Sequence, residues 1–429
     1  MSAPRAASAP GQAARGAAAA LIAGVLQEGR SLADLAEAGP LAGLQGPERA
    51  RAQRLAGAAL RHLERIDALL AHYLRERPPA GALDALRRAA AEVQREGPPA
   101  HAAVRLARAD PQARHAAGLV NAVGRRVAAA GAAWAATPEA GLPDWLDGPV
   151  RAAWGPEAAA AIAAAHRRPA PLDLTLRDTG EAARRAEALG AEVLPTGSLR
   201  RAAGGQVSTL PGFAEGAWWV QDAAAALPAR MLGDVRSARV LDLCAAPGGK
   251  TLQLATAGAR VTALDLAEAR LGRLRENLAR TGLAAEVVAA DAFDWAPEAP
   301  FDAILVDAPC SASGTIRRHP DLPHLRTGRA LGPLVGLQAA LLERAWGWLR
   351  PGGHLVYAVC SLLPAEGEDR AAAFASGRAG VRRIPAAAEA LGVPADWIDA
   401  AGALRTRPDF WAERGGVDGF FAASFEKAG

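Results

Sequence analysis

Lysine is almost missing from this chain. Of its 49 basic residues only Lys250 and Lys427 are lysines, and the other 47 are arginines. A chain so biased that still keeps lysine at 250 uses a compact ammonium there, which a planar guanidinium does not replace. Cysteine is also scarce: Cys244, Cys310 and Cys360 all lie in the C-terminal half, and none has a C-x-x-C or zinc-type spacing. An odd, sparse set argues against a disulfide framework or a metal site and for reduced thiols, hence a cytoplasmic protein. Long apolar runs are lacking too. GAAAALIAGVL at 16–26 imitates a signal-peptide core, but it is too short to span a bilayer and continues into a polar helical pattern. It reads as a first domain helix, with no membrane partner expected. No strong charge excess exists either: the net charge is +4 and the isoelectric point near 9.4, compatible with nucleic acid without requiring it.

What is present, over 429 residues, is enough chain for two or three domains. Residues 1–15, rich in Ala, Pro and Arg and free of acids, read as a disordered tail, with a transit peptide as the alternative. Residues 16–135 read as all-helical. Leu21, Val25, Leu32 and Leu35 start an amphipathic series, and Arg49–Tyr73 carries Leu55, Leu60, Leu63, Ile66, Leu69 and Leu70 at helical spacing. Residues 1–140 hold 18 arginines against 12 acids, a net +6, so the chain's whole charge excess sits here. That is either a solvated helical bundle or a basic face for RNA phosphates. Residues 136–215 read as a linker, with a helix at Pro156–His166, and a small α/β piece in which Arg200 and Arg201 are candidate phosphate contacts. Trp145 and Trp154 read as packing anchors. In Gly216–Leu232, the segment that leads toward Val240–Thr251, Gln221-Asp222 are expected to open a helix.

The centre of that last part is VLDLCAAPGGKT, Val240 to Thr251. Val240–Leu243 reads as a buried strand, Gly248-Gly249 as a tight turn, and Lys250–Ala257 as a helix whose N-terminus exposes backbone N–H groups. A second strand, Arg260–Leu264, ends at Asp265, about 20 positions past the turn, where a carboxylate reaches a ribose hydroxyl pair. A helix over 268–281 carries Arg270 and Asn277, and a third strand, Glu286–Ala290, ends at Asp291. A fourth strand, Phe301–Val306, delivers Asp307-Ala308-Pro309-Cys310-Ser311, and a fifth, His354–Val359, delivers Cys360-Ser361. Strand tips in an open parallel sheet are where ligands bind. Cys310 and Cys360 therefore read as chemical groups, whereas Cys244 reads as a small core residue inside its strand.

These strings together resemble the RsmB/NOP-type S-adenosylmethionine-dependent RNA cytosine-5 methyltransferases. Residues 216–425 carry the resemblance, helped by Gly314-Thr315-Ile316-Arg317-Arg318-His319-Pro320-Asp321-Leu322 and by Asp418-Gly419-Phe420-Phe421. The pattern at 48–70, His101 and Gly118-Leu119-Val120-Asn121 resembles the RNA-binding domain of NusB, which bacterial members carry at the N-terminus. Two mild departures are His324, where many relatives have an aromatic, and Val359, where threonine is common. The resemblance implies an α/β, Rossmann-like class I methyltransferase sheet at 216–429, preceded by an all-α NusB-like domain at 16–135 and a small α/β linker domain. It implies S-adenosyl-L-methionine as cofactor, held by Cys244, Ala245, Ala246, Pro247, Gly248, Gly249, Lys250, Asp265, Arg270, Asp291 and Asp307. RNA, most of all small-subunit ribosomal RNA, is the implied partner of a monomer.

The chemistry explains why two thiols are needed. C5 of cytosine is a poor nucleophile until a thiolate adds to C6, and the adduct must afterwards lose its C5 proton and expel the thiol. By resemblance Cys360 is the nucleophile, Cys310 assists release, and Asp307 bonds the base while Lys250 orients it or supports the thiolate. Three other readings stay open. A nicotinamide-dependent oxidoreductase would lack its G-x-G-x-x-G and leave both thiols unexplained, a tRNA substrate is compatible with every residue, and a non-catalytic assembly factor would not need Cys310 and Cys360.

Overall fold

The structure is a computed structural model that describes residues 11–37, 39–96, 114–202 and 206–429. His101 and most of the 1–15 tail lie outside the described residues. The described chain divides into two compact units. One holds residues up to Pro143 together with Arg318–Arg326, and the other holds Asp144–Arg317 and Thr327–Gly429.

The first unit is helical, as the apolar spacing predicts. Its first helix, Gln12–Leu26, begins inside the stretch read as tail. Ala14, Ala18, Leu21, Ile22 and Val25 face a core shared with Leu55, Leu60, Ile66, Leu69, Leu86, Val120 and Val127. The helical spacing over 49–73 is carried by two helices, Gly46–Arg61 and Leu63–Ala71, divided at His62. Many of the arginines counted as a basic face are spent inside. Arg88 is fully buried on Glu92, which Arg15 and Arg51 also meet, and Arg87 pairs with Asp67 and Asp84. Burial lowers the Arg88 guanidinium to about 10, with Glu92 pulling the other way. Arg54, Arg75, Arg77, Arg125 and Arg126 are exposed. The segment 318–326 packs into this unit: the Asp321 carboxylate accepts from Leu32 N at 2.9 Å, and His324 Nε2 donates to the Leu60 carbonyl at 3.0 Å. The departure at 324 thus has a structural task.

The second unit opens with a helix over Asp144–His166, kinked at Gly155, followed by a four-stranded antiparallel sheet. Its strands are β1 (Leu172–Leu176), β2 (Glu192–Val193), β3 (Leu199–Arg201) and β4 (Trp218–Val220), in the order β2-β3-β1-β4. This sheet extends past the expected boundary at 215. Arg200 is no phosphate contact. It is buried, forks onto Asp173 at 2.6 and 2.7 Å, and donates to the carbonyls of Arg414 and Gly416, so four of its five N–H donors are taken up inside the protein. Arg201 is half-buried beside it. Trp154 is the packing anchor expected, its indole donating to the Leu362 carbonyl under Arg405 and Arg407. Gln221 and Asp222 do not open a helix; Gln221 bonds Gln253, Asp222 closes a turn on Ala224, and the short helix starts at Leu227.

The large sheet contains β5 (Arg239–Leu243), β6 (Arg260–Asp265), β7 (Glu286–Ala289), β8 (Phe301–Asp307), β9 (Leu349–Val359), β10 (Val381–Ile384), β11 (Leu404–Arg405) and β12 (Phe421–Lys427). The order is β10-β12-β9-β8-β5-β6-β7, with β11 paired to β12. Strands β5 to β9 run parallel and β12 inserts antiparallel beside β9. Both faces are covered, which is why Val240–Leu243 and Ala303–Val306 are almost continuously apolar. This is the Rossmann-like methyltransferase sheet expected. The order reverses at β5, with β6 on one side and β8 on the other. The tips of β5, β6, β8 and β9 therefore surround one crevice.

Candidate active site

The crevice is built from the glycine turn outward. β5 ends at Leu243, one residue earlier than a Cys244 in the strand requires. Cys244 instead sits in the loop with left-handed φ 63°, half-buried. Burial, then the charges of Asp265, Asp307 and Asp242, push its thiol well up, so it stays protonated at neutral pH. Gly248 has φ 104° and begins the helix Gly249–Thr256; a Cβ on it would lie 2.2 Å from Leu274 Cδ1. Only glycine fits this turn.

Asp265, at the tip of β6, holds this loop. One oxygen accepts from Ala246 N and the other from Ala267 N, both at 3.0 Å. Arg270 donates to the Ala246 carbonyl at 2.6 Å and lies 3.8 Å from Asp265, so it braces the loop from behind. Asn277, in contrast, faces Arg280 on its own helix. Asp291 lies two residues past β7, and its Oδ1 accepts from Phe293 N at 2.9 Å. Beside these two carboxylates stand Leu266, 71% exposed, and Phe293, 41% exposed. Two large apolar side chains open at adjacent strand tips next to two acids suit a nucleoside, with its base against carbon and its hydroxyls toward carboxylate. Sequence reading singled out the acids and passed over their apolar neighbours, which look like ordinary core residues until their exposure is known.

The other half of the crevice holds the reacting groups. Lys250 Nζ donates to Asp307 Oδ2 at 2.7 Å, and the Phe420 ring lies 5.3 Å from Nζ. Burial alone pulls Lys250 down. The charge and hydrogen bond of Asp307, with Asp242 and Cys360 behind them, outweigh it and leave the ammonium raised and charged. Asp242, on β5, is fully buried and bonds Thr251 Oγ1 at 2.6 Å; burial pushes its carboxyl up to about 7. Cys310 Sγ and Cys360 Sγ are 3.4 Å apart, delivered from β8 and β9. The bond to Cys360, then burial, then the charges of Cys360 and Glu366 push the Cys310 thiol well above its ordinary range. Gly314 locks the two loops together, since its N–H donates to the Cys360 carbonyl at 3.0 Å and its backbone meets Gly419 where a Cβ would collide. The structure therefore brings Lys250, Asp307, Cys310 and Cys360 into one cluster and groups Cys244 to Gly249, Asp265 and Arg270 around the turn beside it.

Comparison with known proteins agrees with this geometry. A family model described as 16S rRNA methyltransferase RsmB/F matches residues 229–426, and the NusB family matches 12–129. The ribosomal RNA small subunit methyltransferase B of Xanthomonas campestris pv. campestris is 40% identical over 98% of both chains. The chain belongs to the RsmB/F family. A second member, ribosomal RNA small subunit methyltransferase B of Pseudomonas syringae pv. tomato, is 41% identical over 66% of this chain and 65% of its own. Among solved structures, PH0851 superposes with TM-score 0.76 over 99% of this chain and all of that one at 22% identity, a likeness of fold. A methyltransferase homolog protein from Pyrococcus horikoshii reaches TM-score 0.54 at 28% identity over 65% of this chain and 93% of its own. As an RsmB/F member the chain is a methyltransferase that uses S-adenosyl-L-methionine. Among the described residues no helix is long and apolar enough to cross a membrane.

Proposed function

We propose that this chain methylates C5 of a cytosine in small-subunit ribosomal RNA through a covalent Cys360–C6 adduct. The observation that carries the reading is the thiol pair: two sulfurs 3.4 Å apart at neighbouring strand tips, in the crevice that also holds the Lys250–Asp307 ion pair. C5 methylation of a pyrimidine uses two such groups, because one thiol must attack and leave as thiolate while the other takes the proton that C5 then loses.

Asp265, Arg270 and the 244–249 loop would hold the cofactor, with Leu266 and Phe293 beside its base. When bound, S-adenosylmethionine supplies an electrophilic methyl group. Cys360 adds to C6, and the electron pair released toward C5 makes that carbon nucleophilic enough to take the methyl. Asp307 faces the exocyclic amine and N3, where positive character develops, and Lys250 fixes its direction. After transfer, the C5 proton passes to the second thiol in its thiolate form, the C5–H electrons form the C5–C6 double bond, the C6–S electrons return to sulfur, and Cys360 is regenerated as thiolate. Cys310, whose sulfur lies 3.4 Å from that of Cys360, is the group that assists this release, its thiolate accepting the C5 proton.

The test is to replace each cysteine by alanine and incubate full-length protein with S-adenosylmethionine and small-subunit ribosomal RNA. Cys360→Ala should transfer no methyl and form no covalent complex. Cys310→Ala should methylate once and stall, giving a slow band that survives denaturing electrophoresis. Cys244→Ala should do neither. A trapped complex with Cys360→Ala instead would reverse the two roles.

A further inference from the structure

Each reacting cysteine is followed by a serine, Ser311 and Ser361, and both serines end on one carboxylate. Glu366 lies in the turn between β9 and the helix Glu368–Ser376 and has no solvent exposure. Its Oε1 accepts from Ser311 N at 2.8 Å and from Gln338 Nε2 at 3.1 Å, while its Oε2 accepts from Ser311 Oγ at 2.6 Å and Ser361 Oγ at 2.5 Å. Its carbonyl takes the Tyr357 hydroxyl from the middle of β9. Ser313 Oγ lies 3.1 Å from Ser311 Oγ and accepts from Leu362 N at 2.9 Å, which closes the network. Ser311, Ser313, Gln338 and Ser361 are all buried.

Four neutral donors on one buried carboxylate are costly to assemble. A buried charge is tolerated only where its lone pairs are fully met, and an apolar residue would fill the same space without that demand. What this carboxylate does is tie the tip of β8 to the tip of β9 directly behind the two sulfurs. We propose that Glu366 is a positioning residue that locks the Cys310 and Cys360 loops at the thiol spacing the reaction uses. This rests on the two-thiol reading above and adds a residue that reading does not contain. Glu366 does not touch the nucleobase or the cofactor. It acts through Ser311 and Ser361, and its charge is also one cause of the raised Cys310 thiol.

Two substitutions separate spacing from bulk. Glu366→Asp keeps the charge but draws the carboxylate back by one methylene, so it cannot reach both loops at once. Glu366→Gln keeps the length: its carbonyl can take Ser311 N and Gln338, and its amide can donate to the two serine hydroxyls. Two readouts apply to the full-length protein. The first, which needs no RNA, is the rate at which diamide couples Cys310 to Cys360, followed by mass spectrometry. The second is methyl transfer to small-subunit ribosomal RNA, with kcat separated from the S-adenosylmethionine KM. Glu366→Asp should lower both the coupling rate and kcat by about 100-fold, the effect of an ångström-scale misplacement, with KM unchanged. Glu366→Gln should restore most of each. Wild-type coupling in Glu366→Asp, or a glutamine variant no better than the aspartate, overturns the proposal. A wild-type protein that transfers no methyl to RNA overturns the functional reading, while the coupling rates still judge the clamp.

Discussion

Lys250→Met removes one charge from the crevice and little else. Methionine has a similar length and still packs against Phe420, but it leaves Asp307 without its cation. The pair is a single charge-assisted hydrogen bond of 2.7 Å, with the lysine side chain 9% exposed and the aspartate 29%, so solvent screens it only weakly. Such bonds contribute roughly 1.5–3 kcal/mol. If Asp307 needs that bond to face the developing charge on the base, kcat should fall about 10- to 150-fold. Lys250→Arg keeps the charge but forces a planar fork into a buried slot shaped for an ammonium, so it should fall between the two. The pH dependence has a definite sign. A lysine raised above its unfolded value of about 10.4 contributes stability that is complete below that pH and is lost only as pH rises through the folded value. The deficit of Lys250→Met should thus be flat across the neutral range. The assay is methyl transfer to ribosomal RNA at several neutral pH values, with iodoacetamide labelling of Cys360 measured in parallel. A methionine variant with wild-type kcat and unchanged Cys360 labelling would refute the reasoning.

Other substitutions test the surrounding parts. Asp265→Ala should weaken S-adenosylmethionine binding, read by calorimetry, by about 10- to 150-fold from one charge-assisted bond, and RNA affinity should barely move. Its two oxygens also hold Ala246 N and Ala267 N, so the loop should exchange its amide protons faster as well. Gly248→Ala combines left-handed strain of about 1–2 kcal/mol with a Cβ driven against buried Leu274, about 1–3 kcal/mol more, and should lower the urea midpoint accordingly. Replacing exposed Arg125 and Arg126 by Gln should weaken RNA binding and reduce the slope of log affinity against log salt by about 0.7–0.9 for each phosphate no longer neutralised. An unchanged slope removes that helix end from the RNA surface.

How much of this was legible beforehand depended on whether the signal was local. Strand and helix periods are local, so the helix at 268–281 was read to the residue and β5, β6 and β8 to within one residue. Motif strings are local too, which is why Cys310, Cys360, Lys250 and Asp307 could be named together before their distances were known. Boundaries failed where a turn overrode a period. Cys244 left its strand because the turn needs a left-handed residue there, and the apolar spacing over 49–73 did not reveal the break at His62.

The sequence alone determined the order of the strands along the chain and the residue types able to run the chemistry, because these follow from short apolar runs, glycine conformation and the nucleophilicity of thiols, while the class of sheet was legible through the motif strings it shares with a known family. Only the tertiary structure decided which polar residues are spent internally. Arg200 is consumed by Asp173, the interior arginines of the first unit by Glu92, Asp67 and Asp84, and His324 by the Leu60 carbonyl. It also decided that Glu366, unremarkable five residues past Ser361, collects the serines behind both thiols. A charge is free for a ligand or engaged by the protein according to which groups lie within about 3 Å of it, and that depends on residues far away in the chain.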